Sequence, residues 1–247
     1  MVERADRAPV GTFFAPGAWG PVVALSEGAA HHASVKRLSV GDPVRLTSGD
    51  GRRVHATITE LGKRKFVVST AGEDVEQVPA PTPIELWAPV GDRERMLWLA
   101  EKATELGLGA WRPVIFRRSR SVTSRGEGEA FREKVRARMS SALEQSGGAW
   151  LPEILPESTL DRALEECTGE RGILLDPAGD PLPHALSRFT VHGSPVTLAL
   201  GPEGGLDPDE RDAILRAGWR PASLGPNVLR FETAAVAALA IVRSLQW

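Results

Sequence analysis

Residues 198–242 read LALGPEGGLDPDERDAILRAGWRPASLGPNVLRFETAAVAALAIV, and this stretch constrains the fold more than any other. Two turns containing glycine and proline, one beginning at Gly201 and one at Gly225, each follow a short apolar run and precede a segment of helical character. One such turn is ordinary punctuation. Two in succession predict a pair of loops meeting at the carboxyl end of a parallel sheet, where open α/β sheets bind their ligands.

The first turn leaves a fully apolar strand through Gly201, Pro202, Glu203, Gly204 and Gly205, after which Asp207 and Pro208 stand as N-cap and first residue of a helix. Glycines let the backbone approach a ligand and point its N–H groups inward. Taken alone, this turn is equally well a tight strand-to-helix connection. It is neither a GxGxxG nor a Walker loop, which argues against a plain nucleotide-phosphate site and against a dinucleotide-dependent oxidoreductase. The second turn sets Arg230, Glu232 and Thr233 ahead of a helix that is otherwise small and apolar. Glu232 or Thr233 can cap that helix and answer its dipole. Arg230 is harder to place, because burying it between Leu229 and Phe231 would be costly unless it pairs with Glu203, Glu232 or an anionic ligand. Its permanent charge and planar fork of donors suit a phosphate or a developing anion.

Upstream, Val10 to about Ala71 shows short strands: Val44–Thr47, the turn Gly49-Asp50-Gly51, Val54–Glu60, a basic turn over Gly62–Lys65, and Phe66–Ser69. These predict a small β-barrel or open meander over residues 1–72. A helix is expected around Glu27–Leu38, with Val35 and Leu38 packed inward and Lys36 and Arg37 in water. Residues 73–83, acidic and then proline-rich, read as a linker. The period then changes over residues 84–247. A strand at Ile84–Pro89 precedes a helix with Leu97, Ala100, Ala103 or Thr104 and Leu106 at helical spacing and Gly107 as C-cap. Next come a strand Trp111–Phe116, a helix Glu129–Gln145, a strand near Ile154 and a helix Thr159–Cys167. Strands Gly172–Leu175 and Val196–Leu200, a helix Pro208–Ala217, a strand Pro221–Leu224 and a helix Thr233–Leu245 complete the pattern. Such alternation predicts a parallel sheet covered on both faces.

Composition narrows the class. The 247 residues, 42% of them hydrophobic, suffice for one large or two modest cores. No run of eighteen apolar residues occurs and the N-terminus lacks an apolar h-region, so a cytoplasmic protein without membrane span or signal peptide is expected. Cys167 is the only cysteine, which excludes an intrachain disulfide and a cysteine-based zinc site. His31 and His32 are adjacent and point in different directions with no further ligand at metal spacing, so no metal is expected. The net charge of −2 conceals an asymmetry: residues 1–72 hold ten basic against six acidic side chains (+4), residues 139–247 eight against fifteen (−7). Arg112–Arg138 holds nine basic and three acidic residues, so a polyanion can be met by the first domain and this segment.

LGPEGG followed by LGPNVLRFETAA resembles the SPOUT class of RNA methyltransferases, and within it the ribosomal RNA small subunit methyltransferase E family. HHASVKRLSVGDPV, KATELGL with RPVIFRRS, and ALEQSGGAWLPEI extend the likeness over most of the chain. The resemblance implies a PUA-like N-terminal β-barrel and a C-terminal α/β domain whose parallel sheet is tied in a deep trefoil knot. It also implies a homodimer and methyl transfer from S-adenosyl-L-methionine to N3 of a specific uridine in 16S rRNA of the small ribosomal subunit. Carried onto this sequence, it assigns Arg230 and Glu232 to catalysis. It assigns Leu175, Leu200, Gly201, Pro202, Glu203, Gly204, Gly205, Leu224, Gly225, Asn227, Leu229 and Thr233 to the cofactor, with Asp176 beside Leu175. The chain departs from the family's pattern at Asn227, Gly148 and Val90, where basic residues are frequent.

The chemistry agrees with that resemblance. A sulfonium methyl donor needs no metal but an in-line nucleophile, and uridine N3 becomes one only on losing its imide proton. Arg230 would stabilise the charge then shared by the uracil oxygens, and Glu232 would orient Arg230 or receive the proton. His32, Lys36, Arg37, Lys63, Arg64 and Lys65, with Arg117, Arg118 and Arg120, are expected to meet RNA phosphates. Two other readings stay open: a SPOUT methyltransferase acting on another RNA, and a non-catalytic RNA-binding ribosome-assembly factor that keeps the fold.

Overall fold

The structure, a computed structural model, describes residues 8–119, 128–167, 172–188 and 195–246. It divides into two compact units: residues up to Ala80 together with Ser140–Leu151, and Pro81–Met139 together with the chain from Pro152.

In the first unit, the strands are β1 (Thr12–Phe14), β2 (Val22–Leu25), β3 (Pro43–Thr47), β4 (Arg52–Leu61), β5 (Phe66–Ser69) and β6 (Glu76–Gln77). They form one sheet in the order β1-β3-β4-β5-β2, with β6 on β4; β1 and β3 run parallel, the other pairs antiparallel. Along β4, Val54, Ala56 and Ile58 are buried while His55, Thr57 and Thr59 are exposed, the period-two alternation of a sheet with one wet face. The buried row meets Phe13, Val44, Leu46, Phe66 and Val68, and each such side chain contributes about 1.5–3 kcal/mol. The segment read as a linker is partly recruited, since β6 pairs with β4 and Val78 N–H donates to Gly51 O.

Helix α1 (Glu27–Val35) is capped by Ser26, whose hydroxyl accepts Ala29 N–H. It ends in a Schellman turn, with Leu38 N–H on Ala33 O and Arg37 N–H on Ser34 O. Its inner face is Ala29, Ala30 and Ala33, which let the helix lie close to the sheet; Val35, expected inside, is 68% exposed. Leu38 packs on the core as expected, and Lys36 and Arg37 are exposed.

Ser140–Leu151 falls in the sequence region read as the second domain, yet it packs with this sheet. Phe14 N–H donates to Glu144 Oε1 (2.7 Å), Thr47 Oγ1 to Gly148 O (2.9 Å) and Gly51 N–H to Ala149 O (2.9 Å). Trp150 Nε1 donates to Val78 O at 3.1 Å, and the Trp150 ring covers Gly51, where a Cβ would come within 2.4 Å of the ring. The Gly49–Gly51 turn is thus required by two positive φ angles (81° and 98°) and by this close approach.

The second unit contains β7 (Ile84–Pro89), α2 (Arg93–Glu105), β8 (Ala110–Ile115), β9 (Glu153–Ile154), β10 (Ser158–Thr159), α4 (Leu160–Glu166), β11 (Gly172–Pro181), α5 (Leu182–Ser187), β12 (Val196–Leu200), α6 (Pro208–Arg216), β13 (Arg220–Ser223) and α7 (Phe231–Ser244). Helix α3 (Glu129–Ser146) divides between the units. All strand pairs are parallel, in the order β10-β8-β7-β12-β11-β13 with β9 on β8. Strands buried on both faces read as near-continuous apolar runs, as VTLAL does and as IELWAP does apart from Glu85. One face carries Trp87, Leu174 and Ala199 under α4 and α6, with Leu160, Ala163, Ile214 and Trp219 in the same cluster. The other carries α7, which packs on β7, β12, α2 and α5. The inner stripe of α2 is Met96, Leu99, Ala100, Ala103 and Thr104, so Leu97 is only half-buried. Small residues at 100 and 103 facing an alanine-rich α7 explain this phase, because they let the two helices approach closely. Helix α5 was not anticipated; at six residues, with Pro183 inside it, it carries no helical signature.

Candidate active site

The carboxyl ends of β12 and β13, with β11 where its pairing to β12 ends at Leu175, open into one cleft of about 340 Å³, within the ~300–1,000 Å³ typical of small-molecule sites. Its lining is Leu175, Asp176 and Pro177 of β11, where the register on β13 shifts; Leu200 at the end of β12 with Gly201, Pro202, Glu203, Gly205 and Leu206 after it; and Ala222 to Gly225 with Asn227, Val228 and Leu229 around the end of β13. Arg211 of α6 and Phe231 and Ala234 of α7 complete it. The two turns therefore do meet. A Cβ on Gly201 would fall 3.0 Å from Leu206 Cγ, and Gly225, at φ 133°, adopts a conformation that other residues rarely take. The first turn is fixed by a capping box: Asp207 accepts Asp209 N–H, and Glu210 Oε2 accepts Asp207 N–H at 3.2 Å.

Ten of the twelve residues expected at the cofactor line this cleft; Gly204 and Thr233 are exposed and lie outside its lining. Arg230 is not buried, contrary to the cost argument that tied it to Glu203 or Glu232. It is the exposed N-cap residue of α7, and neither glutamate pairs with it among the described residues. Nor does Glu232 or Thr233 cap the helix. Glu232 is buried in the first turn, where a carboxylate suits the positive end of the helix dipole.

Both glutamates turn instead to Arg95, at the start of α2. Arg95 Nη1 lies 3.2 Å from Glu203 Oε1, and Arg95 Nε lies 3.8 Å from Glu232 Oε1. Glu232 Oε2 is buried without a hydrogen-bond partner among the described residues. Arg95 escaped the sequence reading because it stands 108 residues from Glu203. Arg211 was missed for a similar reason: its guanidinium Nε donates to Asp176 Oδ2 at 2.6 Å, a bond that raises its pKa, across 35 residues of sequence.

The cationic candidates fall in two places. Arg117 pairs with Asp207 (3.0 Å) and Asp209 (2.9 Å), its hydrogen bond to Asp209 being the main cause of a raised pKa. Arg118 donates to Gly204 O at 3.4 Å and lies 3.6 Å from Asp207, so both arginines border the first turn. Arg120 lies outside the described residues. In the other unit, Lys36, Arg37, Lys63, Arg64 and Lys65 are exposed, with Lys65 paired to Glu60 and Arg64 3.9 Å from Glu27. His32 is half-buried, its ring edge-on to Phe13 and its Nδ1 3.4 Å from Glu144 Oε2, so the fold already engages it. Among the described residues, no group of three or more His, Cys, Asp or Glu gathers at metal-binding distance.

Residues 78–243 match the RNA methyltransferase domain, and residues 25–70 match the RNA methyltransferase PUA domain. The chain belongs to this RNA methyltransferase family. As an RNA methyltransferase it is similar to the ribosomal RNA small subunit methyltransferase E of Synechocystis, with 26% identity over 90% of this chain and 73% of that protein. Among solved structures it is similar to a Legionella pneumophila methyltransferase in complex with S-adenosylmethionine (29% identity, TM-score 0.84, 94% of this chain and 96% of that one). It is also similar to the ribosomal RNA small subunit methyltransferase E of Neisseria gonorrhoeae bound to S-adenosylmethionine (28% identity, TM-score 0.82, 95% and 97%). The fold of this RNA methyltransferase is accordingly an α/β domain with a parallel sheet, preceded by a PUA-like domain.

Proposed function

We propose that the protein transfers a methyl group from S-adenosylmethionine to N3 of one uridine in 16S rRNA, acting in the cytoplasm as a homodimer on the small ribosomal subunit. What carries this reading is the convergence of the two turns on one cleft, in a chain similar over nine-tenths of its length to small subunit methyltransferase E. The reading includes a trefoil-knotted C-terminal segment, as the family likeness implies.

The cleft suits the cofactor. Leu200, Leu224, Leu229 and Phe231 provide apolar walls, and the turns at Gly201 and Gly225 bring backbone donors and acceptors to their edge. Glu203 and Asp176 supply negative charge beside a cationic ligand. When bound, S-adenosylmethionine supplies an electrophilic methyl group on a sulfonium sulfur. The protein's part is to hold a uridine in line and to stabilise its anion. Arg230, exposed next to the cleft-lining Leu229 and Phe231, donates to the uracil oxygens that share the charge once the N3 proton leaves. Glu232 does not orient Arg230, since its Oε1 faces Arg95; its Oε2 keeps the free lone pairs that a proton acceptor requires. The cations of the PUA-like domain and Arg117 and Arg118 position RNA through phosphates rather than reading its sequence.

Isothermal titration of the purified protein with S-adenosylmethionine tests the cofactor half of this proposal. One site per chain with Kd between about 1 μM and 1 mM is expected. No heat of binding at millimolar ligand would favour a non-catalytic RNA-binding factor that keeps the fold.

A further inference from the structure

Asp176 and Arg211 form a charged pair in the wall of a cleft that is otherwise mostly apolar. Arg211 Nε donates to Asp176 Oδ2 at 2.6 Å, and Asp176 Oδ1 accepts Ala178 N–H at 2.9 Å. Asp176 is therefore held twice, and its side chain is 13% exposed. Arg211, at 38%, is engaged through Nε, so the edge of its guanidinium bearing the two terminal nitrogens is directed away from the pair. Neither terminal nitrogen has a hydrogen bond among the described residues. The pair is not needed to start α6, because Asp207 and Glu210 already form a complete capping box there.

Arg211 is the one cationic side chain lining the cleft among the described residues. The acids lining it are Asp176 and Glu203, and Glu203 is bound to Arg95. S-adenosylmethionine carries a single anionic group, the carboxylate of its methionine end, beside an ammonium and a sulfonium. An apolar wall stabilises no carboxylate, and leaving that group without a partner in a partly desolvated cleft would be costly. We infer that Arg211, oriented by Asp176, is the residue that recognises the carboxylate of the cofactor's methionine end. The inference rests on the cofactor reading above and adds a specificity determinant to it. A guanidinium fixed at Nε presents its two terminal N–H groups as a planar fork, the geometry that matches a carboxylate with two parallel, charge-assisted bonds. Asp176 then acts as a positioning residue: it sets the plane of the fork and contributes no contact of its own to the carboxylate.

The test compares two ligands that differ only in this group, S-adenosylmethionine and decarboxylated S-adenosylmethionine, by calorimetry on wild type, Arg211→Gln and Arg211→Lys. Wild type should prefer the carboxylated ligand by about 10- to 100-fold, the range for a hydrogen-bonded charged group. Arg211→Gln should lose most of that preference by weakening only the carboxylated ligand. Arg211→Lys, which keeps the charge without the fork, should recover part of it; because Arg211→Gln also removes the partner of a largely buried Asp176, the ratio of the two ligands' affinities within each protein, rather than its melt, is the deciding readout. Equal weakening of both ligands by Arg211→Gln would overturn the inference, as would a wild type that binds both equally well. A wild type that binds neither would sink the cofactor reading itself, a result distinct from the other two.

Discussion

Replacing Arg230 with alanine is expected to lower methyl transfer by about 10²–10³-fold, the loss seen when one donor to a developing oxyanion is removed. The substitution should do little else. Arg230 is exposed and pairs with neither Glu203 nor Glu232, so stability should stay within about 0.5 kcal/mol of wild type. The residue lies outside the cleft lining, so cofactor affinity should change by less than the ~1.4 kcal/mol that marks a tenfold effect. Arg230→Lys should rescue only part of the rate, because a point charge does not span two oxygens as a planar fork does. Single-turnover transfer, a thermal melt and a cofactor titration on the same preparations separate these effects. A transfer rate equal to wild type would remove Arg230 from the chemistry, and a loss that followed cofactor affinity would reassign it to binding.

The largest expected effect on stability comes from a single methyl group at the start of β11. Gly172 lies under Trp219, where a Cβ would sit 1.9 Å from Cδ2 and 2.2 Å from Cε2. Trp219 cannot yield easily, since it is 4% exposed and its ring centroid lies 4.6 Å from that of Trp87. Gly172→Ala should therefore cost about 3 kcal/mol, the upper range for overpacking a filled core, and lower the melting temperature by roughly 6–12 °C. Because β11 also delivers Leu175 and Asp176 to the cleft, cofactor affinity should fall with it. Gly62→Ala is the matched control: a Cβ there meets nothing within 4 Å among the described residues, and its melt should be unchanged. A Gly172→Ala protein as stable as wild type would mean that Trp219 is not held against β11 as described.

The elements flanking the cleft were legible in the sequence because their signals are local. A capping aspartate before a proline, a glycine after an apolar strand, and a run such as VTLAL each act within a few residues, and all three recur at the observed positions. The residues assigned from the two turns largely line one cleft for the same reason: loops at the carboxyl end of a parallel sheet are brought together by the topology. Partnerships across long stretches of chain were not legible. Nothing near Arg95 announces Glu203 and Glu232, and nothing near Arg211 announces Asp176. Arg230 shows how a local argument fails: burial was inferred from apolar neighbours, but the residue is the last one before the helix begins and its side chain points to water. Val35 failed similarly, because three alanines of lower hydrophobicity offered the closer fit to the sheet. Ser140–Leu151 continues a helix that periodicity places in one domain, while its hydrogen bonds to Phe14, Thr47 and Gly51 place it in the other unit.

The proposed reaction is defined by one site and one atom, uridine N3 of 16S rRNA. The protein would be incubated with S-adenosylmethionine carrying a labelled methyl group and with small ribosomal subunits that lack the native modification, and the rRNA then digested and its nucleosides mapped by mass spectrometry. Label is expected in 3-methyluridine at a single position. Label on a different base or atom, or no transfer by a protein that binds the cofactor, would contradict the proposed reaction.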